Sequence, residues 1–525
     1  MFARAASGTI VGVDAHEVVV EVHRGKGLPG MALIGLARGA VRESLVRVRS
    51  AILASKAQLG THRLVVNLLP AELPKTGSAL DLPLAVALLV SSGTLPASIL
   101  NQRRFYGELS LGGSLEPVRG AVLMADLARR CGDLELVIPK TNAAEAAVIP
   151  GIRAIGVSTL SELIDYLNGH GAIDPSTPQE ALSAEPVACL SEVKGQRRVK
   201  RALEIAAAGR HNLLMIGPPG SGKTMLAKRL VGLLPPLDAE ESIEVTRIHS
   251  AAGLLREGGL IRTRPFRAPH HTASEPALCG GGTIPRPGEI TLAHKGVLFL
   301  DELPEFSRRA LESLREPLEE GSIHIARSQC SLTFPADVLL IGAMNPCPCG
   351  RYRGDMGHTE KSTKKVGLMP CLCDFEQIQR YRARISGPLL DRIDMHVYVD
   401  ALPFGEQLRA SVEESSASVR QQVTQACSRQ TARLGQGKSN TDMSQKQCRE
   451  HVRLEQASID LLESAVEKHG LSARAMGRIL KVARTIADLA SSAPVNLSHI
   501  HEAIGLRLLE RHHVPDLRLV AHDRR

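Results

Sequence analysis

A glycine-rich loop between an apolar run and a predicted helix constrains the fold of this chain more than any other stretch. The run Leu213–Ile216 has the composition of a short buried strand, and residues 225–234 have that of a helix. The loop between them fits the phosphate-binding pattern, in which two glycines separated by four residues precede a lysine and a threonine. The residues of this stretch predicted to bind a nucleotide are Gly217, Pro218, Pro219, Gly220, Ser221, Gly222, Lys223, Thr224 and Met225.

The residue types in this loop follow from what a phosphate group needs. Glycine lets backbone N–H groups approach phosphate oxygens because it carries no Cβ, and the following helix presents its positive N-terminus to the anion. We expect Lys223 to bind the β- and γ-phosphates of ATP and the Thr224 hydroxyl to bind Mg²⁺. A glycine-rich turn without a ligand is the alternative, and the predicted strand and helix on either side favour the nucleotide.

Two further apolar runs end in polar side chains suited to nucleotide hydrolysis. Residues 296–300 precede Asp301 and Glu302, and residues 338–344 precede Asn345. Because ligands of open parallel sheets bind at the carboxyl ends of the strands, we expect these side chains beside the phosphate loop. Asp301 is predicted to hold Mg²⁺, Glu302 to orient the attacking water, and Asn345 to sense the γ-phosphate or that water. An acidic turn and an asparagine turn without a ligand are the alternatives.

Two arginines farther along the chain are candidates for stabilising charge on the transferred phosphoryl group. Arg392 stands between Asp391 and Asp394, and in a ring its guanidinium would reach the ATP of a neighbouring subunit. The alternative is a structural ion pair with one of those two aspartates. Arg474 lies at the start of a predicted helix and would contact the nucleotide from a helical lid, with Arg478 as the competing choice.

The order of these signatures resembles that of an AAA+ ATPase, and several connecting stretches are more specific. They resemble the YifB/ComM family of magnesium-chelatase-related proteins, and with the first domain the resemblance covers nearly the whole chain. The stretches that carry it are residues 267–274 (RAPHHTAS), 280–282 (GGG), 287–290 (PGEI), 292–296 (LAHKG) and 343–350 (AMNPCPCG).

This resemblance implies a ring-forming, hexameric ATPase that moves DNA. It also implies a helicase that drives branch migration while incoming DNA is integrated during natural transformation. Three alternatives remain at this stage: a chelatase-type or chaperone-type motor that remodels a protein partner, a nucleotide-dependent switch bound to DNA, and a peptidase.

The segment from residue 247 to 271 is rich in arginine and histidine and contains few acidic residues. In this clade of AAA+ proteins the position holds an insertion that lines the central pore, so its cations would neutralise DNA phosphates. A solvated basic loop is the alternative. The residues predicted to contact single-stranded or branched DNA are Arg256, Arg262, Arg264 and Arg267.

Four cysteines form two closely spaced pairs on either side of a polar, basic segment. Four thiolates can close a tetrahedral zinc site, although one intervening residue within each pair is tighter spacing than usual. The segment has little apolar content to fold around, which favours a metal over buried or free thiols. The predicted zinc ligands are Cys347, Cys349, Cys371 and Cys373.

The first domain reads as an α+β unit that resembles the Lon-protease-like domain fused to bacterial ATPases. The matching stretches are residues 73–82, 107–117 and 137–140. Ser78 lies near the position of the Lon nucleophile, but the closer equivalent is Ala79, and the position of the catalytic lysine falls near Val122. Because a serine without a base is a weak nucleophile, we expect a degenerate scaffold, as in RadA-type recombination ATPases, that aids assembly or holds DNA.

The amino-acid composition restricts the cellular compartment and the kinds of binding partner that we expect. A net charge of +9 permits a polyanionic partner, although a merely basic enzyme would carry the same charge. The absence of tryptophan argues against a base-stacking surface and favours contacts to phosphates. Ten cysteines, no export signal and no apolar run of about 18 residues predict a cytoplasmic protein without a membrane span.

The expected fold class is α/β: an AAA+ core, with a parallel sheet flanked by helices, follows the α+β domain and precedes a helical lid. The predicted parts are a Lon-protease-like domain at 1–168, a linker at 169–190, an AAA+ core at 191–400 with a Cys-rich insertion at 347–373, and a lid with a basic tail at 401–525.

Overall fold

Three packed units follow one another in the described part of the chain. A mixed α/β unit comes first, a unit built on a parallel sheet follows, and a helical unit comes last. The predicted fold class, with a helix-flanked parallel sheet before a helical C-terminal region, is confirmed. A computed structural model describes residues 2–26, 28, 30–34, 39–60, 62–73, 75, 78–178, 188–255, 259–282, 285–327, 330–352, 370–401 and 413–507.

The first unit is built on a sheet to which the described residues contribute seven strands, in the order β3-β4-β2-β1-β5-β8-β9. Helix α2 is buried along almost its whole length because it packs between α1 and the strands β1 and β2. The elements are β1 (Phe2–Val11), β2 (Asp14–Gly25), β3 (Gly30–Ile34), α1 (Gly39–Ala54), β4 (Arg63–Leu69), α2 (Asp81–Ser92), β5 (Arg103–Phe105), β6 (Glu108–Leu109), β7 (Leu115–Glu116), α3 (Ala121–Arg130), β8 (Glu135–Pro139), α4 (Lys140–Ala146), β9 (Arg153–Val157) and α5 (Leu160–Leu167).

Strand β1 is a feature that sequence patterning did not predict. Its alanine, serine and glycine content is poor in strand-forming residues, yet it pairs antiparallel with β2 along its whole length. The buried guanidinium of Arg104 on β5 holds this region together: it donates to the carbonyl of Ser7 on β1 and pairs with Glu17 at 3.0 Å and Asp133 at 2.8 Å. Long-range pairing therefore overrides local propensity here.

The second unit carries five described parallel strands in the order β11-β14-β17-β10-β18. Strands β10, β14 and β17 are buried at every position, as strands covered by helices on both faces must be. The elements are α6 (Arg197–Gly209), β10 (Leu213–Ile216), α7 (Lys223–Leu230), α8 (Ala239–Ala252), β11 (Phe266–Arg267), α9 (Glu275–Cys279), β12 (Gly280–Gly281), β13 (Arg286–Pro287), α10 (Glu289–Leu292), β14 (Val297–Leu300), α11 (Arg308–Glu312), α12 (Pro317–Glu320), β15 (Ser322–Arg327), β16 (Cys330–Pro335), β17 (Leu339–Met344), α13 (Phe375–Arg382), α14 (Gly387–Leu390) and β18 (Met395–Tyr398).

The third unit is helical and packs on α6 of the second unit, so the two share one apolar core. None of the described helices combines the length and the apolar character that crossing a membrane requires. Part of the predicted linker (179–187) and the basic tail from residue 508 onward lie outside the described residues. The elements are α15 (Ser416–Leu434), α16 (Gln445–His451), α17 (Gln456–His469), α18 (Ala473–Leu489) and α19 (Leu497–Gly505).

Helix α8 joins the first unit to the second. The hydroxyl of Ser250 donates to the buried carboxylate of Glu145 at 2.5 Å, and Arg247 pairs with Asp14 at 2.8 Å. Burial raises the pKa of Glu145, an effect that the hydrogen bond from Ser250 partly offsets. The segment predicted to grip DNA thus begins on a helix whose polar side chains contact the first unit.

Replacement of Arg104 tests whether this buried cation holds the first unit together. We expect Arg104→Leu to lower the free energy of unfolding by about 3 kcal/mol, because it leaves Asp133 without its buried partner. Arg4→Leu, which removes a largely exposed partner of Glu21, is the control and should change stability by less than about 1 kcal/mol. Denaturant unfolding of the purified chain measures both, and equal effects would contradict the assignment.

Candidate functional site

Three parallel strands end side by side and bring the predicted nucleotide residues together. In the register of the sheet, Ile216 at the end of β10 pairs with Met344 on β17, and Leu300 on β14 pairs with Gly342. The loops that follow these strands surround a cavity of about 400 Å³. Its lining consists of Pro219, Gly220, Ser221, Gly222, Lys223, Thr224, Met225, Asp301, Glu302, Met344 and Asn345.

Lys223 folds back over the phosphate loop and makes contacts that a phosphate could replace. Its amino group donates to the carbonyl oxygens of Gly217 at 2.7 Å and Pro218 at 2.9 Å, and to the Asn345 side-chain oxygen at 3.3 Å. Burial lowers the pKa of the Lys223 ammonium, and the two carboxylates that follow β14 partly offset that shift. This largely buried cation is therefore held by oxygen acceptors, and an anion would be attracted to it strongly.

The geometry of the phosphate loop suits a bound anion. Gly220 and Gly222 adopt the left-handed backbone conformation, with φ of +74° and +89°, which turns the loop around the cavity. The hydroxyl of Ser221 is buried and finds no hydrogen-bond partner among the described residues. A phosphate group supplies the acceptor oxygens that such a donor lacks, so the residues present fit the triphosphate of a nucleotide.

The side chains predicted to bind Mg²⁺ and to orient the water line the same cavity. The Thr224 hydroxyl donates to the Asp301 carboxylate at 2.7 Å, which places two hard oxygen ligands side by side. Glu302, whose backbone is left-handed at φ 51°, pairs with His271 at 3.0 Å. Sequence reasoning grouped His271 with the basic segment and missed this contact, because the two residues are distant along the chain.

Arg392 lies outside the nucleotide cavity, on a second cavity of about 670 Å³. Its guanidinium is buried, pairs with Glu319 and donates to the carbonyl of Pro388 at 2.7 Å, and its Nε finds no partner among the described residues. The sequence-based alternative named Asp391 or Asp394 as its ion-pair partner, whereas the structure pairs it with Glu319.

The two lid arginines differ in their surroundings. Arg478 pairs with the buried carboxylate of Asp394, whereas Arg474 is exposed at the start of α18. The hydrogen bond from Arg392 lowers the pKa of Glu319, and the charges of Arg474 and Arg478 add to this shift. All three arginines therefore act on one carboxylate, away from the residues that line the phosphate loop.

The arginines predicted to contact DNA differ in their exposure to solvent and in their contacts within the chain. Arg256 lies outside the described residues, and Arg262 is exposed. Arg264 is mostly buried, pairs with Glu241 at 2.8 Å and donates to backbone carbonyls, and Arg267 makes a bidentate pair with an acidic side chain of α10. Arg264 and Arg267 thus hold loops within the chain, and Arg262 is the described member of the set that faces solvent.

The four cysteines of the two pairs converge on one point, and we call them the cysteine cluster (Cys347, Cys349, Cys371 and Cys373). Their sulfur atoms all lie within 4.8 Å of one another, and Cys347 is fully buried. Burial opposes ionisation of Cys349, but backbone hydrogen bonds lower the pKa of its thiol to about 6. Residues 353–369, which connect the two pairs, lie outside the described residues.

A third cavity, of about 500 Å³, lies between the first unit and the β12–β13 hairpin. Ser78 and Tyr106 line it from the first unit and Arg286 from the hairpin. Neither a lysine nor a histidine is found among the described residues of its lining, and Val122, near the predicted lysine position, is buried in α3. The described lining therefore offers Ser78 neither the lysine of a Ser–Lys dyad nor a histidine, which argues against a Lon-type peptidase.

Comparisons with known proteins agree with these features. Family models described as the magnesium chelatase subunit ChlI match residues 20–142 and 189–407, and a model of the C-terminal part of that subunit matches residues 413–507. The YifB protein of Escherichia coli is 44% identical over 95% of this chain and 96% of its own. The competence protein ComM of Haemophilus influenzae is 44% identical over the same shares. The magnesium-chelatase 67 kDa subunit of Heliobacterium mobile is 30% identical over 39% of this chain and 35% of its own.

Replacement of Asp394 tests how much its buried, ionised carboxylate stabilises the segment around Arg392. Burial favours its neutral form, but contacts with His211 and Arg478 hold the pKa of Asp394 well below its usual range. Because its folded-state pKa is depressed, it stabilises the fold fully above about pH 3.9, and this stabilisation is lost as the pH falls through the folded-state pKa. We expect Asp394→Asn to lower the free energy of unfolding by about 3 kcal/mol at neutral pH.

Denaturant unfolding at several pH values measures this effect, and the difference between wild type and Asp394→Asn should narrow toward acidic pH. Asp391→Asn, three residues earlier and partly exposed, is the control and should leave stability nearly unchanged. A difference that stays constant with pH would contradict the ionised state of Asp394.

Proposed function

The chain belongs to the YifB/ComM family of magnesium-chelatase-related proteins, and from this premise we propose that it is a ring-forming, ATP-driven DNA motor. The observation that carries the ATPase part is the convergence of Lys223, Asp301, Glu302 and Asn345 on one cavity at the carboxyl ends of three parallel strands. A protein that binds ATP without hydrolysing it does not need a carboxylate beside the predicted attacking water.

Each side chain of the cavity has a distinct task in this proposal. ATP would bind together with Mg²⁺, and hydrolysis of its phosphoanhydride bond would release the free energy that drives the motor. Lys223 would turn from its carbonyl partners to phosphate oxygens, and Thr224 with Asp301 would hold the metal ion. Glu302 would orient the attacking water and accept its proton, once it leaves the His271 ring with which it pairs. Asn345 would contact the γ-phosphate or that water.

The position of Arg392 supports a ring, for which a hexamer is proposed. Its guanidinium lies on a different cavity from the phosphate loop, so it cannot serve the nucleotide of its own subunit without a large rearrangement. In a ring, it would leave Glu319 and meet the γ-phosphate bound by the neighbouring subunit. Arg474, exposed near the same carboxylate, would act as the second sensor of the lid.

DNA, single-stranded or branched, is the proposed track of the motor. The similarity to a protein named for competence supports a cytoplasmic role in homologous recombination of DNA taken up in natural transformation. The net charge of +9 and the exposed side chain of Arg262 support contacts to phosphates. Arg256 is proposed to act with Arg262, whereas Arg264 and Arg267 would first have to leave their internal partners.

A motor that remodels a protein partner is the second candidate. The similarity to the magnesium-chelatase 67 kDa subunit favours it, because that protein is named as part of a chelatase rather than for competence. The two candidates share the ATP site and differ in what stimulates hydrolysis.

A labelled Holliday junction tests the leading candidate. We expect the wild-type chain with ATP and Mg²⁺ to move the branch point, and DNA to stimulate its ATPase activity. Glu302→Gln should bind ATP and reduce both rates by at least about 100-fold, because the water loses its general base. Glu305→Gln, which alters an exposed glutamate one turn farther on, is the control and should keep both activities. The DNA-motor proposal fails if no junction moves while a protein stimulates hydrolysis.

The proposed cofactors include a zinc ion in the cysteine cluster. The sulfur of Cys347 lies 3.3 Å from that of Cys349 and 3.7 Å from that of Cys371, and the last two are 3.5 Å apart. A tetrahedral site with Zn–S bonds of about 2.3 Å requires sulfur–sulfur separations of about 3.8 Å. The cluster therefore has nearly the spacing that a tetrahedral zinc ion imposes, and its ligand set is of the kind that structural zinc sites use.

Metal analysis of the purified chain tests this part directly. We expect about one zinc ion per wild-type chain, and loss of that ion in the double variant Cys347→Ser with Cys371→Ser. The double variant Cys131→Ser with Cys427→Ser alters two cysteines outside the cluster and should keep the metal. Equal metal content in both double variants would contradict a zinc ion held by these sulfurs.

A further inference from the structure

We infer that the cysteine cluster and the nucleotide site are coupled, so that a zinc ion in the cluster raises the affinity of the phosphate loop for nucleotide. The inference rests on the proposed zinc ion and the proposed ATP site, and it adds a physical connection between them. Two contacts carry it: one joins the turn within the cluster to the phosphate loop, and the other joins a buried zinc ligand to Asn345.

The first contact is between Gly350 and Pro219. Gly350 follows Cys349 and has a left-handed backbone, with φ of +76° and its amide donating to the carbonyl of Cys347 at 2.9 Å. A Cβ on Gly350 would lie only 2.5 Å from Cδ and 2.9 Å from Cγ of Pro219. The turn therefore packs against the phosphate loop so closely that only a glycine fits without displacement.

The second contact runs through the backbone after β17. Met344 accepts a hydrogen bond from the backbone N–H of Gly217, at the start of the phosphate loop, at 3.1 Å. Asn345 follows, and its side chain accepts from Lys223. Only one residue separates Asn345 from Cys347, a fully buried member of the cluster. A ligand bond at Cys347 would therefore limit how far Asn345 can move.

The short segment between these contacts is also held on its far side. Arg382 on α13 donates to the carbonyl of Pro346 at 3.3 Å, and its guanidinium lies over the ring of Tyr352 at 5.4 Å. The backbone N–H of Tyr352 donates to the sulfur of Cys347 at 3.4 Å. Residues 346–352 are thus fixed by α13 on one side and contact the phosphate loop on the other, and the second pair of cysteines closes the cluster.

The energetic consequence follows from linkage. Without a metal ion, no bonds to zinc keep the Cys347 pair and the Cys371 pair together, so the backbone at Gly350 and Asn345 gains conformational freedom. Nucleotide binding must then remove this freedom, and the lost entropy weakens binding. With zinc bound, that ordering is already present. Because coupling is reciprocal, the factor by which zinc strengthens nucleotide binding equals the factor by which nucleotide strengthens zinc binding, and we expect about tenfold.

Reversible removal of zinc from the full-length chain tests the coupling. A chelator removes the metal, metal analysis verifies the loss, and the dissociation constant of a non-hydrolysable ATP analogue with Mg²⁺ is measured before removal, after removal and after zinc is restored. We expect affinity to fall about tenfold and to return, while circular dichroism shows that the chain stays folded. In the reciprocal arm, the analogue should strengthen zinc binding by the same factor in competition with a chromogenic chelator.

The Gly350→Ala variant tests the contact itself under saturating zinc, so that metal occupancy is held constant. The new Cβ should push Pro219 away and weaken analogue binding toward the value of the zinc-free wild type. Gly132→Ala is the matched control, because Gly132 has a φ of +79° and a methyl group added there would meet nothing within 4 Å among the described residues. Wild-type affinity in Gly350→Ala would show that the contact does not carry the coupling.

The outcomes separate this inference from the proposals it rests on. If the chain binds no zinc, or if its cysteines form disulfides instead, the proposed zinc site is wrong. A chain that binds zinc but no ATP analogue refutes the nucleotide site. If both ligands bind and neither changes the affinity for the other by more than about twofold, the zinc and ATP sites stand and the coupling alone is wrong.

Discussion

The parallel register of β10, β14 and β17 is the constraint on which the nucleotide site depends. Each strand is buried along its whole length, and each ends at the same edge of the sheet. The apolar residues therefore do more than fill the core, because they deliver the phosphate loop, the Asp301–Glu302 pair and Asn345 to one place. A slip of one residue in any strand would move its polar end away from the cavity.

The grouping of these residues could be predicted from the sequence because each motif is contiguous and follows a recognisable apolar run. Contacts that join distant segments could not. Arg392 and Glu319 are separated by 73 residues, and only the packing of α12 against the turn before β18 brings them together. Strand β1 shows the same limit, since its small residues give no local signal and its pairing with β2 decides its conformation. Burial by other elements likewise directs Arg264 to Glu241 rather than to solvent.

The charged residues that we propose for ATP hydrolysis lie on two separate cavities. Lys223 and the carboxylates after β14 line one cavity, whereas Arg392 and Glu319 line another. The positive charges of Arg474 and Arg478 help to lower the pKa of Glu319. Among the described residues, the Nε of the buried Arg392 guanidinium has no hydrogen-bond partner. Because such a buried donor is costly, an anion with more acceptor oxygens than one carboxylate would be favoured there. The proposed ring would satisfy this charge distribution, because each subunit would supply one half of a shared site.

Helix α8 contacts both the first unit and the second unit. Its side chains pair with Asp14 and Glu145 of the first unit, while the ring of His249 on the same helix donates to the carbonyl of Leu292, at the end of α10, at 3.1 Å. The basic segment that begins on α8 ends at His271, which pairs with Glu302. A displacement of this segment would therefore act on the first unit at one end and on the carboxylate of Glu302 at the other. The first unit therefore has a physical role in such an arrangement, because its side chains supply the surface against which α8 is held.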